Sequence, residues 1–255
     1  MRKIQLIMLA LLVSVASFAG EPLQLKVMSY NLRFGELASM ESIGKYIASE
    51  APDVVALQEC DWDTSRERAP KQNGVKFVNV LAHETGMFGL YGKNIDYKGG
   101  YYGIGILSKY PIIRSERVLL PNDGKTEQRG MLIADIEMPD KTVITFVCTH
   151  LEVKSSEMRV AQVKFINRYL RKIKNQIILC GDMNSEPDSK EMTILRKTWA
   201  NLTNQEKTYH VDNPTIKIDY IYSKPMKKVE LEKTEVCREV KLSDHFPVIS
   251  YIKIK

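Results

Sequence analysis

The amino-acid sequence predicts an α/β domain in which two mainly antiparallel sheets pack face to face, with helices on their outer surfaces. Three observations support this fold class. Most apolar runs are short, and several alternate with the period of two that half-buried strands show. Two neighbouring runs are joined by Pro139-Asp140, which is a hairpin signal. A few amphipathic segments lie between the runs, and paired sheets covered by helices are a stable layered architecture.

Four segments have the spacing of helices, at 39–52, 75–86, 156–174 and 189–199. The first can be capped by Ser39 and is closed by Pro52, and the second ends at Gly86. The third is the clearest helix in the chain, because Arg and Lys occupy the face opposite a continuous apolar stripe. That stripe consists of Val160, Val163, Ile166, Leu170 and Ile173.

The remaining apolar runs are predicted strands. In chain order they span residues 23–33, 53–60, 89–94, 101–108, 111–120, 130–138, 141–150, 176–184, 216–222, 227–236 and 247–254. The first run alternates Leu23, Leu25 and Val27, which is strand periodicity. No internal repeat, low-complexity linker or charge block interrupts the series, so we expect one domain after the amino-terminal segment.

Residues 1–19 are predicted to be a cleaved secretory signal peptide. A charged start is followed by an apolar stretch at 4–15 and by a small-residue cleavage site at 17–19. A membrane anchor is the alternative, but 4–15 is too short to cross ~30 Å of hydrocarbon comfortably. We therefore expect residues 20–255 to form an exported domain, either secreted or periplasmic, with no stable membrane insertion.

The charge balance is mildly basic. The chain has 37 Lys and Arg against 31 Asp and Glu, a net charge of +6. Loss of Arg2 and Lys3 with the leader reduces the net charge to +4. Such a charge suits an anionic substrate, and it is equally typical of a solvated surface.

The four cysteines are predicted to be buried thiols. Cys148 and Cys180 lie inside apolar runs, where a free cysteine behaves as a small hydrophobe. Disulfides are the alternative that export would permit. No CxxC or Cys/His spacing suggests a zinc site.

Polar side chains recur where the predicted strands end or begin. They are drawn from Asn, Asp, Glu and His alone: Asn31, Glu59, His150, Asp182, Asn184, Asp219, Asp244 and His245. Singly, each has an ordinary explanation, such as a turn formed by Asp182 and Asn184 or a structural histidine at position 150. Together, their oxygen and imidazole groups suit a hard cation and an anion. On an extended backbone, Asp182 and Asn184 would also face the same way.

These residues occur within an ordered set of motifs that resembles the endonuclease/exonuclease/phosphatase superfamily. The motifs are MSYNLR, LQEC, GYYGIGILSKYPI, EQRG, THL, GDMNSEP, IDYI and SDHFPV. The resemblance extends over residues 27–248, and GDMN followed by SDHFP is its most specific part. The superfamily includes pancreatic-type deoxyribonuclease, abasic-site endonucleases, neutral sphingomyelinases and inositol-polyphosphate 5-phosphatases. The implied fold is a four-layer α/β/β/α sandwich, and the implied activity is metal-dependent phosphoester hydrolysis.

The resemblance implies a Mg²⁺ site, which Mn²⁺ could also occupy. Mg²⁺ prefers octahedral oxygen ligands, keeps several waters and uses one or two carboxylates. Glu59 with Asn31 meets that description, and Asp244 is a third candidate ligand. Whether one or two metal ions act is open at this point.

The resemblance also implies catalytic roles. Asp182 is expected to orient or deprotonate the attacking water, while Asn184 and His150 hold non-bridging phosphate oxygens. Asp219 is expected to hydrogen-bond His245, which would fix its tautomer and favour its charged form. The charged imidazole would then stabilise the phosphorane-like transition state.

Tyr101 and Arg129 have two interpretations each. Tyr101 matches a family tyrosine that contacts the phosphate, and it is equally well a core aromatic. Arg129 in EQRG could clamp either a phosphate or the carboxylates of the site. A loop at 64–74 holds Arg66, Arg68 and Lys71, which could contact a nucleic-acid backbone, although a solvated surface loop is slightly favoured.

We therefore expect an exported Mg²⁺-dependent phosphoesterase that hydrolyses a phosphodiester by in-line attack of water, as nucleases do. A phosphomonoesterase or a lipid phosphodiesterase, similar to inositol phosphatases or sphingomyelinases, is the alternative. A non-catalytic binding protein is the third hypothesis, and it is disfavoured because every expected polar position is filled. The expected partner is a phosphate-ester substrate, which nucleic acid could supply. No obligate protein partner is evident, so a monomer is expected.

Overall fold

The computed structural model describes residues 22–255, so the predicted signal peptide and its cleavage site lie outside the described residues. The helices in this range are α1 (Met40–Glu50), α2 (Phe77–Thr85), α3 (Ser156–Leu170) and α4 (Lys190–Arg196). None of these helices is long and apolar enough to cross a membrane. Short 3₁₀ turns occur at Arg33–Gly35, Pro70–Gln72 and Met226–Lys228.

The strands in the same range account for every predicted run. They are β1 (Leu23–Asn31), β2 (Val54–Trp62), β3 (Phe88–Tyr97), β4 (Gly100–Ser108), β5 (Ile112–Leu119), β6 (Gly130–Glu137), β7 (Val143–His150), β8 (Gln176–Asp182), β9 (Ala200–Asn201), β10 (Asp219–Lys224), β11 (Val229–Val236) and β12 (Val248–Ile254). The two-residue strand β9 is the one strand in this range that the sequence pattern does not predict, because it is too short to show a period.

These strands form two six-stranded sheets. Their orders are β11-β12-β1-β2-β4-β3 and β5-β6-β7-β8-β10-β9. Each sheet has one parallel pair near its centre, β1 with β2 and β7 with β8, and its other pairs are antiparallel. The prediction of two mainly antiparallel sheets is therefore confirmed.

Three apolar clusters separate the four layers. The first lies between the sheets and joins residues such as Val54 and Ile104 to Phe146 and Ile178. The second packs α1 and α2 against the first sheet, and the third packs α3 and α4 against the second sheet. Burial of these faces is the main favourable term in folding, and it produces an α/β/β/α sandwich.

Local signals set most helix ends where the sequence predicts them. Ser39 caps α1 by accepting a hydrogen bond from the Ser42 amide at 3.2 Å. Gly86 ends α2 with a φ of +68°, a conformation that glycine adopts without a steric penalty. Helix α3 stops at Leu170 rather than near residue 174. The last residues of the predicted helix are used in the turn that leads into β8.

All four cysteines, Cys60, Cys148, Cys180 and Cys237, are free and buried. This agrees with the prediction of buried thiols. We expect native protein to react slowly with a thiol reagent, and unreduced denatured protein to react with four equivalents, because only exposed thiolates are nucleophilic. The check is a thiol titration in denaturant with and without prior reduction. Recovery of only two thiols before reduction would reveal a disulfide.

Candidate active site

A cavity of about 340 Å³ contains most of the predicted site residues. Its lining consists of Glu59, His150, Val153, Asp182, Asn184, Tyr209, Ile216, Ile218, Asp244 and His245. A larger cleft of about 800 Å³ beside β5 and the end of α3 contains none of the predicted residues. The smaller cavity is therefore the candidate active site.

Strand register places Asp182 between two other polar residues. In the parallel pair β7–β8, Asp182 is opposite His150, and in the antiparallel pair β8–β10 it is opposite Asp219. The close approach of β7 requires Gly181, because a Cβ there would lie 1.9 Å from the Thr149 carbonyl oxygen. Glycine before aspartate is thus a condition for bringing these strand ends together.

The Asp182 carboxylate accepts hydrogen bonds from two neighbours. The Asn31 Nδ2 group donates to Asp182 Oδ2 at 3.1 Å and to Glu59 Oε1 at 3.2 Å. The Asn184 backbone amide donates to Asp182 Oδ1 at 2.8 Å. Burial and the nearby charge of Asp219 raise the pKa of the Asp182 carboxyl. A carboxyl group with a raised pKa is suited to accept a proton.

Asn184 lies in the cavity for a different reason from the predicted one. Strand β8 ends at Asp182, and Asn184 has a φ of +47°, which is left-handed rather than extended. The side-chain amide of Asn184 donates to the Leu151 carbonyl oxygen at 3.0 Å. The expectation of a shared extended backbone is therefore wrong, and a turn closed by Asp182 positions Asn184 instead.

Glu59 lies inside a strand rather than at its end. Strand β2 continues to Trp62, and its register with β4 shifts between Leu57 and Cys60. Glu59 occupies this β-bulge with a φ of +57°. A bulge changes the direction of a side chain, and here it places the carboxylate within reach of Asn31.

His245 is paired with Asp219 as the family resemblance implies. His245 Nδ1 lies 2.9 Å from Asp219 Oδ2, and His245 Nε2 lies 3.7 Å from Asp182 Oδ2. Burial by itself lowers the pKa of His245, but the carboxylate of Asp219 outweighs it and raises the pKa to about 9. The His245 imidazole is therefore cationic at neutral pH. The Tyr209 ring covers it, with 4.8 Å between ring centroids.

His150 stands on the other side of Asp182, in a contrasting environment. Its Nε2 atom lies 3.5 Å from Asp182 Oδ2, and its Nδ1 atom lies 3.1 Å from Arg129 Nη1. Burial and the Arg129 charge hold the pKa of His150 well below its usual range. Arg129 lies behind this histidine and outside the cavity lining, where it also pairs with Glu127 at 2.9 Å.

Asp244 lines the cavity, but its carboxylate already has a cationic partner. Arg33 donates to Asp244 Oδ2 and also pairs with Glu36. The Ser243 hydroxyl lies 3.3 Å from Asp244 Oδ1. This ion pair leaves Asp244 less available as a metal ligand than Glu59.

The donor set fits a divalent cation. Among residues 22–255, the only side chain that donates to the Glu59 carboxylate is the Asn31 amide, and no cationic side chain pairs with it. Asp182, Asp219 and His245 also offer ligand atoms that lie within 4.8 Å of one another. In that triad, however, Asp219 and His245 are already hydrogen-bonded to each other. Glu59 with Asn31 is thus the better match to the oxygen ligands of Mg²⁺.

Tyr101 is a predicted site residue that the structure places away from the cavity and its neighbours. Its side chain is 39% exposed, and Lys93 Nζ lies 4.2 Å from its ring centroid. Consecutive residues of a strand point to opposite faces. Tyr102 lies on the same face of β4 as Ile104, which packs between the sheets, so Tyr101 points to the opposite face. Phosphate contact by Tyr101 is therefore not supported.

The loop at 64–74 uses its arginines internally. Arg66 donates through Nη2 to Asp61 Oδ1 at 2.9 Å, and its guanidinium lies 4.2 Å from the Phe34 ring centroid. Arg68 pairs with Glu36 at 2.7 Å. These contacts hold Arg66 within the protein, whereas the side chain of Arg68 remains 62% exposed and Lys71 is also exposed.

Sequence reasoning missed two residues that shape the site. Arg33 binds Asp244 although the two are far apart in the chain, and Tyr209 covers His245 from a segment without clear periodicity. The position of Arg33 in the motif MSYNLR, two residues after Asn31, is a signal that could have identified it. No comparable signal marks Tyr209.

Comparisons with known proteins agree with the fold. A sequence model of the Endonuclease/Exonuclease/phosphatase family matches residues 28–245. The uncharacterised protein YbhP of Escherichia coli K12 is 26% identical over 175 residues, covering 64% of this chain and 68% of YbhP. A mannosyl-6-phosphatase from Bacteroides thetaiotaomicron has a TM-score of 0.70 at 17% identity, covering 89% of this chain and 99% of its own. The human nocturnin catalytic domain with bound sulfate has a TM-score of 0.70 at 16% identity, and the match covers 92% of this chain and 94% of the nocturnin chain.

Proposed function

Because this chain belongs to the Endonuclease/Exonuclease/phosphatase family, we propose that it is a Mg²⁺-dependent phosphoesterase that hydrolyses phosphodiesters by in-line attack of water. Members of the family are hydrolases that act on phosphoester bonds. The observation that carries the proposal is the position of Asp182 between two histidine Nε2 atoms, at 3.5 Å and 3.7 Å. A base flanked by two donors suits a water nucleophile beside a phosphate.

The protein's own groups divide the chemistry among them. Asp182, held by the Asn31 side chain and the Asn184 amide, orients the water and accepts its proton. Cationic His245, held by Asp219, donates to the oxygen on which negative charge develops. Asn184 and His150 line the same cavity and contact the non-bridging oxygens of the phosphate.

Glu59 and Asn31 would hold the Mg²⁺ or Mn²⁺ ion, with Asp244 as a further candidate. When bound, the ion supplies Lewis-acid neutralisation of phosphate charge. The carboxylate of Glu59 supports this assignment because it faces the cavity without a cationic partner among the described residues.

A phosphomonoesterase is the second candidate. Arg66 is held within the protein and Arg68 is paired with Glu36, so the loop offers a nucleic-acid polymer no unpaired guanidinium group. Val153, Tyr209 and Ile216 add an apolar wall to the cavity, which suits the organic part of a small ester. One structural neighbour is named as a mannosyl-6-phosphatase.

The proposal also includes export of the protein after cleavage near Gly20, and a monomeric state.

A substrate panel separates these candidates. Purified protein with Mg²⁺ is tested on plasmid DNA, RNA, bis(p-nitrophenyl) phosphate, hexose 6-phosphates, inositol phosphates and sphingomyelin. Cleavage of the diesters supports the first proposal, and release of phosphate from monoesters alone supports the second. Inactivity on the whole panel, with folded protein, contradicts both.

Removal of the metal ion is expected to abolish activity. EDTA should eliminate hydrolysis, and Mg²⁺ or Mn²⁺ should restore it, because the phosphate charge is otherwise uncompensated. Glu59→Gln should weaken Mg²⁺ binding without unfolding the protein, and isothermal titration of the ion measures this. The matched control is Glu239→Gln, at an exposed position. Full activity in EDTA, or unchanged Mg²⁺ affinity in Glu59→Gln, would contradict the assignment.

A further inference from the structure

We propose that Arg129 is a positioning residue that fixes His150 as the neutral tautomer carrying its proton on Nε2. In this state His150 acts as a hydrogen-bond donor towards the cavity and takes no part in proton transfer. The inference about the histidine's state stands on geometry alone. Its consequence for turnover rests on the proposed function.

The tautomer follows from what arginine can do. Arg129 Nη1 lies 3.1 Å from His150 Nδ1. A guanidinium group carries donors and no acceptor, and it stays protonated in proteins. The Nδ1 atom must therefore accept this hydrogen bond through its lone pair. The one ring proton of a neutral imidazole then lies on Nε2, which faces Asp182 Oδ2 at 3.5 Å.

Both partners are too buried to exchange this contact for water. Arg129 is 4% exposed and His150 is 3% exposed. A second proton on His150 would place an imidazolium against a guanidinium in a region of low dielectric, where repulsion between like charges is strong. The same two causes, burial and Arg129, hold the pKa of His150 far below that of an exposed imidazole.

Arg129 is itself held in place by its neighbours. Its Nη1 atom also pairs with Glu127 Oε1 at 2.9 Å. Its backbone carbonyl accepts hydrogen bonds from the Leu120 amide at 2.9 Å and from the Gln128 side chain at 2.7 Å. The carbonyl contacts hold the backbone of Arg129, and the ion pair with Glu127 restricts its guanidinium group beside His150.

The two histidines beside Asp182 are thereby set to opposite charge states. His245 has a carboxylate, Asp219, at its Nδ1 atom, whereas His150 has a guanidinium group at the same atom. One imidazole is a cation and the other a neutral donor, although both direct Nε2 towards the same oxygen. The division gives the phosphate one charged and one uncharged donor, and it avoids two adjacent imidazolium groups.

The decisive measurement is the tautomer of His150 by long-range ¹H–¹⁵N NMR at neutral pH, with Mg²⁺ present. The chain has four histidines, so His150→Gln assigns the signal by its loss, and exposed His83 is the internal reference. We expect a Nδ1 shift typical of an unprotonated nitrogen and a Nε2 shift typical of a protonated one. A doubly protonated ring or a proton on Nδ1 would overturn the proposal.

Two substitutions connect the tautomer to turnover. Arg129→Met removes the donor while keeping similar length, so the Nδ1–H tautomer should appear and kcat should fall roughly 10-fold to 100-fold. Arg129→Lys keeps a cationic donor and should retain the Nε2–H tautomer and most of kcat. An unchanged tautomer in folded Arg129→Met would contradict the proposal. Should that variant not fold, the wild-type and Arg129→Lys spectra still decide.

Failure of the proposed function would look different from failure of this inference. A wild-type protein that shows the Nε2–H tautomer but hydrolyses no phosphoester would contradict the proposed function, and it would support the assigned tautomer. An active wild-type protein with a proton on Nδ1 of His150 would support the proposed function and contradict the assigned tautomer.

Discussion

Replacement of His245 by alanine is expected to lower turnover by about 10² to 10⁴-fold, the range for a positioned acid–base group. The physical reason is the loss of a charged donor beside Asp182, which holds the attacking water in the proposed mechanism. The comparison variant is His83→Ala, at an exposed position of α2. Full activity of folded His245→Ala would require the phosphoesterase mechanism to be abandoned.

The partner of His245 should control the pH dependence. In the proposed mechanism the active form of His245 is the cation. Asp219 raises the pKa of His245 to about 9, so activity should be lost as pH rises through that value. Asp219→Asn keeps the shape of the hydrogen bond but removes the charge. Its activity should fall less than that of His245→Ala, and the alkaline limb of kcat/KM should move to lower pH.

The double variant tests whether the two residues act together. Asp219 serves the reaction by holding His245, so once the histidine is absent its loss should have little further effect. The measurement is kcat/KM against pH for both single variants and for His245→Ala with Asp219→Asn. If the losses of the single variants multiply in the double variant, the pair does not act as one unit.

The second large effect is expected for Asp182→Asn, with a loss in kcat on the order of 10³ to 10⁴-fold. An amide cannot accept the proton of the attacking water. Its nitrogen would also replace one carboxylate oxygen, and Oδ2 now accepts from Asn31 and faces both histidine Nε2 atoms. If the new amide nitrogen took the place of Oδ2, it would face the donors of Asn31 and the two histidines, so the water site should be distorted as well.

The check on Asp182→Asn combines kinetics with NMR. The charge of Asp182 contributes to the raised pKa of His245, so that pKa should fall in the variant. The matched control is Asp188→Asn, which is exposed and six positions along the chain. Retention of a tenth or more of wild-type kcat by folded Asp182→Asn would show that another group accepts the proton.

Most of the fold could be predicted because its elements carry local signals. The alternation in β1, the Ser39 cap of α1 and the Gly86 stop of α2 all act over a few residues, and all are found. The order of the strands within each sheet could not be predicted from such local signals. Which strands are neighbours depends on contacts between distant segments, such as β1 with β12, and no short pattern encodes them.

The site shows the same division. Which residues gather could be predicted, since Glu59, Asp182 and His245 all line the cavity. The contacts that hold these residues in place could not be predicted, because they are tertiary contacts between segments far apart in the sequence. The bulge at Glu59 appears only when β2 is paired with β4, and the contact of Arg129 with His150 joins the residue before β6 to the end of β7. The place of Tyr101 likewise depended on which face of β4 packs inward.

The division of the site between two sheets has a consequence for how the protein acquires its activity. Asn31 and Glu59 belong to the first sheet, and His150 and Asp182 belong to the second. The hydrogen bond from Asn31 to Asp182 crosses from one sheet to the other. A folding intermediate with either sheet formed alone would thus hold half of the groups and could hydrolyse nothing. The proposed hydrolysis needs groups from both sheets, so we expect activity to appear only when the two sheets have docked.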